Sequence, residues 1–159
     1  LAGGLGLPEA QAARLEGNGT AYLLGLLAAV GLFAGVVLHE LGHAVIAQGY
    51  GVRVRSITLW LLGGVAEFDE VPRDRGAEAI IAMVGPFVSL TLAGLCWLAL
   101  GATSPGFAAG RFLLTYLTHL NVVIAVFNMM PALPLDGGRV MRSLLAIWLP
   151  FARATQVAG

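Results

Sequence analysis

The sequence predicts a mainly α-helical membrane protein, with about three core transmembrane helices and a short cytoplasmic-side β-hairpin or small sheet. Three observations predict it. Of 159 residues 58% are hydrophobic and 11% charged, with a mean hydropathy of +0.84. The charges fall in clumps separated by long uncharged gaps, and the longest polar loop alternates as strands do. A water-soluble domain carries about a quarter charged residues, so too few polar groups remain here to cover a water-facing surface. Nine arginines balance nine acids and lysine is absent, so net charge gives no argument for a nucleic-acid partner. The single cysteine, Cys96, excludes an internal disulfide framework and reads as a small buried apolar residue.

The first uncharged gap runs from Ala21 to Leu38 and its apolar character resumes at Ala44–Ala47, giving a span of about 21–47. It follows a polar opening segment (Glu9–Thr20) without a basic flank, unlike a signal peptide. Gly31 and Gly35 form a small-xxx-small pair suited to close helix contact. The second gap, Ala79–Gly110, holds a span of about 79–101. Within it Pro86 is expected to kink the helix, while Gly85 and Ser89 read as a small packing face toward the first span. The third gap, Phe112–Leu135, holds a span of about 112–130, with His119 its only titratable group. Each gap supplies the roughly 20 apolar residues that a spanning helix needs.

Arginine placement sets the orientation. Arg53, Arg55, Arg73 and Arg75 lie between the first two spans, and Arg139, Arg142 and Arg153 follow the third; only Arg14 and Arg111 fall on the other side. The positive-inside rule puts the 49–78 loop and the C-terminal end in the cytoplasm, so the ends of the first and third spans meet at one membrane face. In that loop Val52–Leu59 partly alternates and is β-branched, Gly63-Gly64 follows, and Val65–Phe68 resumes, as a strand pair would. At about 30 residues the loop is too short for an inserted domain, so 1–159 reads as a single integral-membrane unit. Val140–Leu149 reads as an amphipathic or partly inserted helix.

The chemistry starts at His39-Glu40-Leu41-Gly42-His43, a match to H-E-x-x-H. On a helix the two histidines stand one turn apart on one face and can share a metal, with Glu40 beside them as a base toward a metal-activated water. Ionisable groups at the end of an apolar span are costly, which favours function over a solvated helix face. A catalytic zinc takes three protein ligands. Seven of the nine acids lie in polar segments: Glu9, Glu16, Glu67, Asp69, Glu70, Asp74 and Glu78. Glu40 and Asp136 alone adjoin long apolar runs, and Asp136 lies at the face that the His pair approaches, making it the natural third ligand. Pro131 and Pro134 break the helix before it, and Gly137-Gly138 permit close backbone approach around it. Asn128 offers a neutral amide for a substrate carbonyl or a water. His119, 17 positions before Asp136, reads as hydrogen-bonded within the bundle and not as a ligand.

These residues make the chain resemble the site-2 protease family of intramembrane zinc metalloproteases. The resemblance is carried by His39-Glu40-Leu41-Gly42-His43, by Gly85-Pro86-x-x-Ser89, and by Asn128-x-x-Pro131-x-x-Pro134-Leu135-Asp136-Gly137. It implies one Zn²⁺ per chain held by His39, His43 and Asp136, with Glu40 as acid/base. It also implies cleavage of transmembrane protein substrates in or near the bilayer, often after a first cut by a site-1-type protease, in a prokaryotic cell membrane. The form is that of compact members lacking a PDZ insertion. Members usually carry further spans on both sides, so a chain beginning at Leu1 is expected to be a three-span core fragment.

Two other readings stay open at this point. One is a membrane-embedded zincin acting on peptides outside the bilayer, with Glu67, Glu70 or Glu78 as third ligand. The other is a non-proteolytic metal-binding, scaffold or transport protein, although the spans hold few polar groups and Glu40 is present.

Overall fold

The structure is a computed structural model that describes residues 18–52, 54–60, 63–68 and 75–159. Five helices account for most of it: α1 (Asn18–Gly49), α2 (Arg75–Ala102), α3 (Ala108–Asn128), α4 (Asp136–Leu145) and α5 (Phe151–Ala158). The first three are long and apolar enough to cross a membrane. Strands β1 (Val54–Trp60) and β2 (Gly63–Phe68) lie between α1 and α2 and pair antiparallel, Trp60 opposite Gly63 and Val54 opposite Phe68. The helices alone define the fold class: mainly α, with three candidate spans.

The packing is that of a protein in lipid. Of thirteen buried hydrophobic residues among those described, ten are alanines, while Leu26, Phe33, Phe87, Trp97, Leu98 and Val126 are exposed. Lipid is as apolar as leucine, so helices gain little by hiding large side chains and associate through small ones that let backbones approach. Gly31 meets Leu117 and Gly35 meets Asn121, so the Gly pair of α1 is the seam against α3. At the end of α1, Gly51 takes a φ of 74°. Val52 N–H then bonds the Ala47 carbonyl at 3.0 Å and Gly51 N–H the Gln48 carbonyl at 2.9 Å. This left-handed closure favours glycine and satisfies carbonyls that the helix leaves open.

Helix α2 is central and touches α1, α3 and α4. It runs through Pro86 without interruption. At its far end, Arg111 donates to the Leu100 and Thr103 carbonyls at 3.2 and 3.1 Å, tying the start of α3 to the end of α2.

Between α3 and α4 the chain is irregular. Leu133 N–H bonds the Ala158 carbonyl of α5 at 2.8 Å and Leu135 N–H the Ala132 carbonyl at 2.9 Å. Such backbone survives near a membrane because protein partners meet its polar groups. A Cβ on Gly137 would strike the backbone of Met129 and Met130, and one on Gly138 that of Ala132 and Leu133. Helix α4 can therefore start at Asp136 only because the two residues after it lack side chains.

Candidate metal centre

Two helices bring three donors to one point. The His39 Nε2 and His43 Nε2 of α1 each lie 3.1 Å from Asp136 Oδ2 at the start of α4. These are the residues whose donor atoms all fall within 4.8 Å of one another, and all three are buried. The one-turn spacing of His39 and His43 places the rings on one face of α1, centroids 4.9 Å apart and nearly perpendicular at 75°. Glu40 follows His39 and is buried at 6% exposure.

Helix α2 supplies the surroundings. His43 Nδ1 donates to the Ile81 carbonyl at 2.7 Å, and His39 Nδ1 is bonded to Ser89 Oγ at 2.9 Å. A carbonyl can only accept, so His43 carries a proton on Nδ1, and Nε2 is the nitrogen turned toward Asp136. Partners of this kind fix ring orientation and raise ligand basicity in metal sites. Gly85, between Ile81 and Ser89 on the same face, stands against both Nε2 atoms; a Cβ there would strike them.

The donor set fits a zinc ion on these observations. Both Nε2 atoms converge on one carboxylate oxygen at 3.1 Å, a position in which a divalent cation could replace the two hydrogen bonds. The space it needs is kept open by the missing side chain of Gly85. Burial opposes charge on Asp136, but hydrogen bonds and charge interaction with His39 and His43 outweigh it and hold the carboxyl at a pKa of about 2. The charge also sits at the positive end of α4. Asp136 is thus ionised, as a ligand must be. Its other oxygen, Oδ1, lies 3.9 Å from Arg139 Nη1.

Several sequence readings change here. Ser89 and Gly85 read as packing residues, yet one bonds His39 and the other leaves room beside both imidazole Nε2 atoms. Glu78, read as part of a polar segment and as an alternative ligand, is 1% exposed and bonded to Arg142 and Ser143. Glu70, another alternative, lies outside the described residues. His119 is exposed on α3 and bonded at 2.8 Å to the Thr115 carbonyl of its own helix, away from the donors. Asn128 donates one N–H to the Ile124 carbonyl at 2.9 Å, so its second N–H is not used in that bond. The periodic stripe 78–81–85–89 along α2 was the sequence signal for these partners.

A helical membrane core with an H-E-x-x-H pair and an aspartate closing the donor set is a membrane-embedded metal-site fold. The comparisons narrow the class: the model of peptidase family M50 matches residues 27–110 and 107–158, and the chain belongs to that family. A Synechocystis sp. protein named as a candidate zinc metalloprotease is 41% identical over 129 residues, 80% of this chain and 34% of its own length. A zinc metalloprotease of Methanocaldococcus jannaschii is 39% identical over 128 residues, 80% of this chain and 37% of that protein. The solved site-2 protease from Methanocaldococcus jannaschii superposes with a TM-score of 0.67 at 35% identity, covering 81% of this chain and 58% of that one. The chain thus spans about a third of the length of these two curated relatives. With three helices suited to crossing a membrane, it is an integral membrane protein.

Proposed function

We propose that the chain is the core of an intramembrane zinc metalloprotease that hydrolyses peptide bonds of transmembrane substrates near the cytoplasmic side. The observation that carries this reading is the convergence of His39, His43 and Asp136 beside a buried Glu40. One unit, 1–159, holds one zinc ion, bound by His39 Nε2, His43 Nε2 and Asp136. When bound, zinc supplies Lewis-acid polarisation of the scissile carbonyl and makes water a better nucleophile at neutral pH. Glu40 accepts a proton from the attacking water as the oxygen–carbon bond forms, then delivers it to the amine nitrogen as the carbon–nitrogen bond breaks. Asn128 holds a substrate carbonyl with its second N–H.

A substrate helix has its backbone bonds satisfied internally, so it must unwind before attack; small or helix-breaking residues near the cleavage point ease this. Among the described residues the β1–β2 sheet has two strands. Its edges suit strand addition by the unwound segment, and proline placed along an edge should slow cleavage. A site-1-type protease acting first would supply shortened substrates. The bacterial and archaeal relatives support a prokaryotic cell (inner) membrane as the location.

The test is a transmembrane reporter co-reconstituted with the purified chain. Wild type should contain about one zinc per chain and cut the reporter, and Glu40→Gln should keep the metal and lose cleavage. Undiminished cleavage by Glu40→Gln would overturn the assignment.

A further inference from the structure

We propose that Glu78 is a positioning residue: through Arg142 and Ser143 it fixes α4 against α2 and so sets Asp136 opposite the two histidines. This rests on the reading of His39, His43 and Asp136 as zinc ligands.

Glu78 lies in the first turn of α2 and is among the most buried side chains of the described residues, 1% exposed. A buried carboxylate is sustained only where its oxygens are met. Here both are. Oε1 pairs with Arg142 Nη2, and Oε2 accepts from Ser143 Oγ at 3.1 Å. The Arg142 guanidinium also lies over the Phe151 ring, 5.1 Å from its centroid, so α5 closes the pair from the other side.

The two helices relate this pair to the metal centre. Ser143 follows Asp136 by seven residues, two turns or about 10 Å along α4, so both lie on one face. Arg139, between them, faces Asp136 Oδ1 and leaves Oδ2 toward the imidazoles. On α2 the stripe continues from Glu78 by steps of three, four and four to Ile81, Gly85 and Ser89. Ile81 and Ser89 hold His43 and His39. One face of one helix therefore orients all three ligands, two directly and Asp136 through the Glu78 pair.

Purified full chain in nanodiscs is titrated with zinc against a chromophoric chelator, with thermal unfolding followed with and without zinc. A role in folding alone would lower both unfolding temperatures together and leave affinity unchanged. Positioning predicts that Glu78→Ala weakens zinc at least about 10-fold, as loss of a supporting partner does in metal sites, and shrinks the zinc-induced thermal shift. Ser143→Ala and Arg142→Lys keep the Glu78 charge paired and should weaken zinc by about 3- to 10-fold. They carry the test alone if Glu78→Ala is not recovered folded. Zinc affinity within about twofold of wild type in the folded variants, with Asp136→Ala strongly weakened, overturns the proposal and leaves the ligand assignment standing. Wild-type affinity in Asp136→Ala overturns both.

Discussion

Gly85→Ala puts the metal centre to its sharpest test, because its effects on helix and site have opposite sign. In a helix interior alanine is favoured over glycine by about 1 kcal/mol. At Gly85, however, an added Cβ falls at close to a metal–ligand bond length from both Nε2 atoms. Ordinary contact begins near 3.4 Å, so the rings or the α2 backbone must retreat by about an ångström. Metal–ligand distances tolerate roughly 0.2 Å. The ion then loses at least one nitrogen donor, and zinc should bind at least about 100-fold more weakly, about 2.7 kcal/mol. Forcing a methyl into a packed site costs about 1–3 kcal/mol, partly offset by helix propensity, so the zinc-free variant should remain folded. Chelator competition measures the affinity and far-ultraviolet circular dichroism the helix content. A folded variant holding one zinc within about threefold of wild-type affinity would refute the geometry described for α2.

Glu40→Gln should lower reporter cleavage by about 10² to 10⁴-fold with zinc content unchanged, read by metal analysis alongside gel-based cleavage. Ser89→Ala removes the partner of His39 Nδ1 and should weaken zinc by about 10- to 100-fold, read by the same chelator competition. In the zinc-free chain Asp136 has its pKa lowered from 3.8 to about 2. Its contribution to stability is therefore complete above about pH 4 and lost as pH falls through about 2. The infrared carboxyl band missing from Asp136→Asn should appear only toward the lower value. Stripping zinc with a chelator should abolish cleavage, and one equivalent of zinc should restore it; activity surviving full removal would exclude a metal mechanism.

The sequence carried the donors and hid their supports, and the difference is physical. His39, Glu40 and His43 show themselves through spacing on one helix, and Asp136 through being an acid beside an apolar run. Each is a local property. Glu78 has an equally local context, a cluster of charges around Asp69–Arg75, and that context points to solvent. It is buried only because α4, 64 positions later, brings Arg142 and Ser143 to it. Ser89 and Gly85 looked like small packing residues because a small residue that lets helices approach and one that leaves room for an ion have the same composition. Only the rotation of α2 about its axis separates the two. The three spans were legible for a simpler reason: a bilayer penalises charge along a whole helix, so the gaps between charges mark them.

The Ile81 carbonyl has a practical consequence. It orients His43 with a main-chain oxygen, which every residue type at position 81 would still present. Systematic side-chain replacement along α2 would therefore register Ser89 and pass over position 81, although each holds one imidazole. Half of this support is invisible to point mutagenesis, and exposing it calls for a change of the backbone itself, such as an ester in place of the peptide group.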